Sequence, residues 1–240
     1  VCLTEEPTEI LCELGESHRI VGISAYTVRP PEIRAEKPVV SAYLDGSVKK
    51  ISALKPDLVI GFSDIQADLA RKLIKAHLPV LIFNQRSVDE ILDVIGMVGR
   101  LVGASDRVEA LLDGYRQRID DSRDAASRLI HRPRVYFEEW DEPIISGIQW
   151  VSELIEIAGG EDIFAEKSHG KLAGEREVQW SDVVDMNPDI ILASWCGKPV
   201  DVESIRQRPG WDGITAVKNN RIHEIDPSII LQPGPASLTD

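Results

Sequence analysis

The chain has 240 residues, of which 43% are hydrophobic and 28% are charged, as is ordinary for a globular protein. Its 27 basic and 40 acidic residues give a formal net charge of −13, which argues against nucleic acid and anionic membrane surfaces as partners, because both attract clustered cations. The length allows one large domain or two lobes, each with its own core. The three cysteines, Cys2, Cys12 and Cys196, are too few and too scattered for a disulfide framework.

In the first hundred residues, apolar strands alternate with amphipathic helices. Short apolar runs predict strands at 1–4, 19–24, 39–41, 57–61 and 80–83. Helical periodicity predicts helices at 9–15, 47–56, 66–76 and 88–102. We expect the chain to break at residues 5–7, and to be irregular at Pro30 and Pro31, because proline lacks a backbone donor and restricts the residue before it.

A long helix is predicted at 105–130, where apolar residues recur at steps of three, four or seven. At 1.5 Å per residue it would extend roughly 38 Å, about the width of a small domain. Such a helix is either a rigid connection between two lobes or an ordinary long crossover. We favour the rigid connection, because the chain has the same alternating pattern on both sides of it.

The second half repeats this pattern. We predict strands at 134–139, 189–193 and 221–225, helices at 150–158 and 180–186, and mostly irregular chain at 161–178 and 226–235. The segments KPDLVIGFSD and NPDIILASWCG are similar to each other, which suggests two similar lobes. The predicted fold class is therefore α/β, with a Rossmann-like lobe at 1–100, a connecting helix at 101–131 and a second Rossmann-like lobe at 132–240.

Candidate binding residues lie where the predicted strands end, because open parallel sheets bind ligands beyond the carboxyl ends of their strands. This set is rich in carboxylates and aromatic rings. Its members are Glu5, Glu6, Tyr26, Tyr43, Phe62, Asp64, Gln85, Glu139, Trp140, Trp195, Cys196 and Gln232. Polar loops with an occasional aromatic residue also arise by chance, so each member alone is weak evidence.

The sequence offers little support for an enzyme. It has none of the common phosphate-binding, dinucleotide-binding, zinc-protease or serine-hydrolase motifs. Its five histidines fall on helix flanks or turns rather than at predicted strand ends. A bare metal site at Glu5, Glu6, Glu139 and Cys196 is conceivable, but it would lack the histidine ligands that transition metals favour.

Several stretches resemble the helical-backbone periplasmic binding proteins, which serve ABC importers of cobalamin, ferric siderophores and haem. The resemblance is carried by PTEILCELG, ISALKPDLVIGFSD, the long central helix, ISGIQWVSELIEIAGG and WSDVVDMNPDIIL, and it covers essentially the whole chain. The ISGIQW–GG segment is most similar to the cobalamin-binding branch.

The resemblance implies a non-enzymatic protein that holds its ligand in a cleft between two lobes and delivers it to an ABC permease. It implies ligand contacts by Tyr43, Phe62 and Trp140, and permease docking by Asp68 and Asp182, where the family normally has glutamate. We add Trp195 as a second flat surface of the C-terminal lobe. We expect Glu5, Glu6 and Glu139 to recognise polar or cationic groups at the rim.

The ligand expected from the resemblance is a corrinoid or related metal chelate, with no intrinsic cofactor. The acidic strand ends leave open a cationic small molecule or a metal ion, and a chelatase-like or cofactor-processing enzyme is the alternative from another class. We expect a monomer in the periplasm or on the outer face of the membrane. A cytoplasmic location stays open because no signal peptide is visible in the sequence.

Overall fold

The computed structural model describes residues 1–239 and has a mixed α/β architecture. Its strands are β1 Ile23–Ser24, β2 Val39–Ala42, β3 Asp45–Gly46, β4 Val59–Phe62, β5 Val80–Phe83, β6 Arg134–Asp141, β7 Ile144–Ser146, β8 Glu161–Asp162, β9 Ile190–Ala193 and β10 Ile222–Glu224. Its helices are α1 Glu5–Glu13, α2 Pro31–Glu36, α3 Val48–Ala53, α4 Ala67–Lys75, α5 Val88–Leu101, α6 Ser105–Ala126, α7 Gln149–Ile157, α8 Trp180–Met186, α9 Val202–Arg206, α10 Thr215–Lys218, α11 Pro227–Ile230 and α12 Ala236–Thr239.

The described residues divide into two compact units. Unit 1 contains Val1–Gln85, Asp89–Tyr115 and Gln232–Thr239, and unit 2 contains Arg86–Val88 and Arg116–Leu231. The division falls inside α6, so each unit contains part of the long helix. The segment Gln232–Thr239 belongs to unit 1, although the residues that precede it, up to Leu231, belong to unit 2.

Unit 1 is built on short parallel strands. β2 pairs in parallel with β1 and antiparallel with β3, while β4 and β5 form a parallel pair. Residues 1–3 join the two ladders, since the N–H of Cys2 donates to Gly22 O and the N–H of Leu3 donates to Ile60 O. The core between this sheet and its helices contains Leu3, Val40, Ile51, Val59, Leu69 and Leu73.

Unit 2 contains one five-stranded sheet. β10, β9 and β6 run in parallel in that order, and β8 pairs in parallel with the beginning of β6. The end of β6 turns back into the antiparallel strand β7. Two aromatic side chains, Tyr136 and Trp211, are fully buried in its core and contact each other edge to face. The carboxyl ends of the parallel strands therefore come together at one edge of the sheet.

Helices α5 and α6 pack closely within unit 1. A Cβ built at Gly99 would lie 2.4 Å from Cβ of Val108, so only glycine allows this approach. Val108, Leu112 and Tyr115 are buried along α6, as the helical periodicity predicted. The helix ends at Ala126 rather than at Ile130, because the chain tightens into a turn in which the N–H of Leu129 donates to Ala126 O.

Two predictions about proline were wrong. α1 begins at Glu5 and includes Pro7, and α2 begins at Pro31. Both prolines lie in the first turn of a helix, where the backbone N–H groups have no partner within the helix and a missing donor costs nothing. Among the helices of residues 1–239, none has the length and apolar character of a transmembrane span.

Candidate functional site

At the start of unit 1, residues 1–4 form only an isolated bridge from Cys2 to Ile60, rather than the predicted strand, and lead directly into α1, which places three carboxyl groups in the interior. The exposed fraction is 7% for Glu5, 2% for Glu6 and 5% for Glu9. Glu5 and Glu6 were predicted at an open rim, and that position was wrong, because the helix begins at Glu5 and turns both side chains inward. Burial raises the pKa of Glu5 to about 7 and that of Glu6 to about 8.

The last segment of the chain, Gln232–Thr239, packs on this part of α1, and we call it the C-terminal strap. The buried side chain of Gln85 donates from Nε2 to Pro233 O at 2.9 Å. The N–H of Ala236 donates to Oε2 of Glu9 at 3.3 Å. The structure thus gathers Glu5, Glu6, Gln85 and Gln232, all predicted site residues, within one unit.

The other predicted residues of unit 1 follow β1, β2 and β4. Tyr26 is 51% exposed, Tyr43 is half-buried, Phe62 is buried and Asp64 is exposed. Tyr43 has a φ of 53°, and its carbonyl accepts a hydrogen bond from Nε2 of the buried Gln66 at 2.5 Å. An apolar groove of about 490 Å³ opens next to Asp64, between α4 and β5.

In unit 2, a buried carboxylate lies at the centre of a hydrogen-bond network. Glu138 is fully buried near the end of β6 and accepts hydrogen bonds from Nη1 and Nη2 of Arg208 at 2.5 and 2.9 Å. It also accepts from Nε1 of Trp195 at 3.1 Å and from the hydroxyl of Tyr136 at 3.2 Å. The guanidinium of Arg208 also lies 4.6 Å from the ring centre of Trp211. Four donors therefore hold the end of β6 to β9 and to the loop after α9.

Trp195 is part of this network rather than an open surface. Only 2% of the residue is exposed, and it packs in the core of unit 2. Its position soon after the end of β9 predicted an open strand end. The structure turns it inward because its Nε1 has a buried acceptor in Glu138. Its predicted position as a flat, exposed ligand surface was wrong.

Trp140 is the more accessible aromatic residue of unit 2. It lies within β6, which extends to Asp141, rather than in a loop after the strand. The indole is half-buried, and the ammonium group of Lys198 lies 4.4 Å from its ring centre. Lys198 also binds both carboxylate oxygens of Asp141 at 2.7 Å. An aromatic ring, an ammonium group and a carboxylate thus meet at the end of β6.

Glu139 is not an open carboxylate. Its two oxygens accept from Nη1 and Nη2 of Arg176 at 2.5 and 2.8 Å, and Arg176 also donates to Ser146 O. The residue was predicted to recognise polar or cationic groups at the rim, but its charge is already neutralised by a buried guanidinium. The sequence could have indicated such a partner, because carboxylates that follow the buried run VYF in a central strand need cations or hydrogen-bond donors.

The two predicted docking residues differ in accessibility. The side chain of Asp68, on α4, is 85% exposed and pairs with Arg71 at 3.2 Å. Asp182 is half-buried in α8, and its carboxylate accepts from the N–H of Gln179 at 3.1 Å, so it caps the helix. Next to α8, a groove of about 580 Å³ is lined by Glu142, Glu177 and Trp180, among others.

The sequence analysis missed Glu138, Arg176, Lys198 and Arg208, which hold or neutralise the residues that it did select. Glu138 directly precedes the predicted Glu139 in β6, and the three cations lie in segments without a recognisable motif. Within residues 1–239, no group of three or more histidine, cysteine or acidic side chains is placed to hold a metal ion. Cys196 is exposed in the turn after β9.

Comparisons with known proteins agree with this architecture. A vitamin B12-binding protein from Vibrio cholerae is 25% identical over 244 residues, covering 99% of this chain and 84% of that protein. An uncharacterized ABC transporter substrate-binding lipoprotein from Bacillus subtilis (strain 168) is 26% identical over 250 residues, covering 98% of this chain and 74% of the relative.

Two solved structures have the same fold. A periplasmic heme-binding protein from Roseiflexus sp. RS-1 superposes with a TM-score of 0.82 at 24% identity, covering 98% of this chain and 92% of the other. The periplasmic vitamin B12-binding protein of Vibrio cholerae gives 0.76 at 23% identity, covering 99% and 91%. The model of the family described as periplasmic binding protein matches residues 1–229. The resemblance noted in the sequence is thereby confirmed, and the chain belongs to the periplasmic binding protein family.

Proposed function

We propose that this protein captures a corrinoid or a related metal chelate and delivers it to the permease of an ABC importer. The observation that carries the proposal is the match over almost the whole chain, to the family through residues 1–229 and to a vitamin B12-binding protein over 99% of the sequence. The relatives are named as binding proteins, so the proposed role is binding rather than catalysis. We further propose a monomer outside the cytoplasm, as the lipoprotein relative suggests.

The charge state of the strand ends favours a ligand without a large positive charge. Glu139 is neutralised by Arg176, and Asp141 by Lys198. Glu5 and Glu6 have pKa values of about 7 and 8, so protons neutralise much of their charge near neutral pH. The acidic residues that made a cationic ligand conceivable therefore present little net charge, and a corrinoid or metal chelate is the better candidate.

Trp140 supports the same choice. Its indole is half-buried at the carboxyl end of β6, where an apolar ring can cover part of a flat macrocycle. Lys198 lies over this ring and is exposed, so it can move aside or contact polar groups at the edge of a ligand. For permease docking, Asp68 is the stronger candidate of the two, because the carboxylate of Asp182 already caps α8.

The proposal is tested by adding cyanocobalamin, dicyanocobinamide, haem and ferric chelates to the purified protein and following tryptophan fluorescence and melting temperature. A ligand at a hundred times its dissociation constant stabilises the folded state by about 2.7 kcal/mol. We expect a corrinoid to raise the melting temperature, and Trp140→Phe to weaken its binding.

Trp180→Phe is the comparison variant, because Trp180 is 43% exposed in unit 2 and belongs to α8 rather than to β6, in the groove that also reaches Asp141. If Trp140→Phe and Trp180→Phe bind equally well, Trp140 is not a ligand contact. If haem stabilises the protein and corrinoids do not, the transport role stands and the corrinoid assignment is wrong. If none of these compounds shifts the melting temperature, the proposed ligand class is wrong.

A further inference from the structure

The buried carboxyl groups of α1 have too few cations to be ionised together. Glu9 binds Arg29, with 2.9 Å between Oε1 and Nε, but Oε2 of Glu6 has no hydrogen-bond partner within residues 1–239. Repulsion from Glu9 and Glu5 adds to the cost of charging their neighbours. Since a buried, unpaired carboxylate is strongly unfavourable, Glu5 and Glu6 must hold protons or gain access to water.

The C-terminal strap is the segment that covers Glu6. A Cβ built at Gly234 would lie 3.1 Å from Cβ and Cγ of Glu6, so the strap backbone lies directly on this side chain. Ala236 and Leu238 are buried, and the N–H of Ala236 donates to Glu9. Residues 232–239 contain no ionisable side chain. Moving residues 232–239 would therefore expose Glu6 without breaking an ion pair made by a side chain of these residues.

The other titratable groups near this cluster come from three elements. Cys2 precedes α1, and burial, with a contribution from the charge of Glu6, raises its pKa. Cys12 and Glu13 follow Glu9 on α1, and burial, with a contribution from the charge of Glu9, raises the pKa of Cys12. Arg29 reaches Glu9 from the segment after β1. Arg29 binds Glu9 through its Nε. The protonation of Glu5 and Glu6 is therefore linked to the position of the strap, while Glu9 stays bound to Arg29.

We propose that α1 and the C-terminal strap form a protonation-controlled latch, in which protonated Glu5 and Glu6 keep the strap closed and their ionisation opens it. This inference does not depend on the ligand or on the transport role. It requires only that the strap covers Glu6 and that water reaches Glu6 and its neighbour Glu5 when the strap moves.

The latch has a definite pH dependence. With the strap closed, burial raises the pKa of Glu5 to about 7 and that of Glu6 to about 8, whereas in water both are near 4.5. Opening therefore releases protons between these limits. The equilibrium constant for opening rises about tenfold per pH unit for each proton released. The strap is thus tightly closed near pH 5 and opens progressively as the pH rises towards 8.

The test is hydrogen exchange, measured by mass spectrometry on the whole protein from pH 5.5 to 8 and corrected for the intrinsic exchange rate. We expect the protection of amides in 232–239 to fall at least tenfold over this range. In Glu6→Gln, the amide has the shape of the protonated side chain but cannot ionise, so opening releases one proton fewer. The fall in amide protection per pH unit should therefore be about tenfold smaller. Glu32→Gln, on the exposed face of α2, is the matched control and should behave like the wild type.

Peptides from α5 distinguish a latch from general unfolding, because α5 also lies mostly in unit 1. If α5 loses protection in parallel with the strap, the unit unfolds as a whole and the latch is wrong. The latch is also wrong if the protection of amides in 232–239 does not change with pH, or if it changes equally in the wild type and in Glu6→Gln. Should Glu6→Gln not fold, Glu5→Gln must show the same reduced slope.

Gly234→Ala provides an independent check, since its methyl group would push the strap away from Glu6. This variant should exchange faster than the wild type in 232–239 even at pH 5.5, where the carboxyl groups are mostly protonated. Unchanged protection in Gly234→Ala would show that the strap does not press on Glu6, and the proposal would fail.

Discussion

The ion pair between Glu138 and Arg208 allows a quantitative test of how unit 2 is held together. In Arg208→Leu, the fully buried carboxylate of Glu138 loses two hydrogen bonds of 2.5 and 2.9 Å and keeps only those from Trp195 and Tyr136. Breaking a buried pair by removing one partner costs about 3–5 kcal/mol, because the remaining charge is left without compensation. We expect a loss of this size in the free energy of unfolding.

Part of that loss could come from packing, because Arg208 also stacks on Trp211 at 4.6 Å. The double variant Glu138→Gln/Arg208→Leu separates the two causes. It keeps the shape at 138 but removes the buried charge, so we expect it to recover about half or more of the stability lost in Arg208→Leu. Non-additivity of this kind is expected for residues in direct contact.

Urea unfolding monitored by circular dichroism measures both variants, with Arg206→Leu as the matched control. Arg206 lies on α9 and bonds an exposed asparagine, Asn220, so its loss should change stability by about 0.5 kcal/mol or less. If Arg208→Leu costs the same with and without Glu138→Gln, the uncompensated charge is not the cause and our account of this network is wrong.

Two further predictions concern unit 1. Glu6 has its pKa raised by burial to about 8, so the folded state binds a proton that the unfolded state releases above pH 4.5, and stability falls as the pH rises through this window. Glu6→Gln should thus leave the free energy of unfolding nearly unchanged at pH 4.5 and raise it by about 1–3 kcal/mol at pH 7, in urea titrations at both pH values; a uniform loss would contradict this. Gly99→Ala should destabilise the protein by about 1–3 kcal/mol, because its Cβ would lie 2.4 Å from Cβ of Val108. Gly114→Ala, on α6, has open space around it and should stabilise the protein by about 0.5–1 kcal/mol in the same assay.

The fold could be predicted from the sequence because its signals are local. The strand at 80–83 and the helix at 180–186 agree residue for residue with β5 and α8, since apolar runs and helical periodicity are set by neighbouring residues. β7 was missed because its three residues, Ile144–Ser146, are too few to show an alternation of their own. It becomes a strand by pairing with the end of β6.

The partners of the site residues could not be predicted, because they lie far away in the sequence. Arg176 is 37 residues from Glu139, Lys198 is 57 residues from Asp141, and Arg208 is 70 residues from Glu138. Each cation lies in an irregular or short helical segment that has no motif. The strand ends were correctly identified as acidic, but whether each acid was exposed, paired or protonated depended on these distant contacts.

The difference between an acidic sequence and a charged site also changes what is expected of binding. A formal charge of −13 suggests that the ligand is attracted electrostatically and that its affinity falls as salt is added. At the strand ends, however, Glu139 and Asp141 are paired with cations, and Glu5 and Glu6 are largely neutralised by protons near pH 7. If the ligand is recognised mainly by apolar cover from Trp140, its dissociation constant should change by less than about threefold between roughly 50 and 500 mM NaCl. A tenfold or larger loss of affinity would mean that unpaired carboxylates, and hence a cationic ligand, dominate recognition after all.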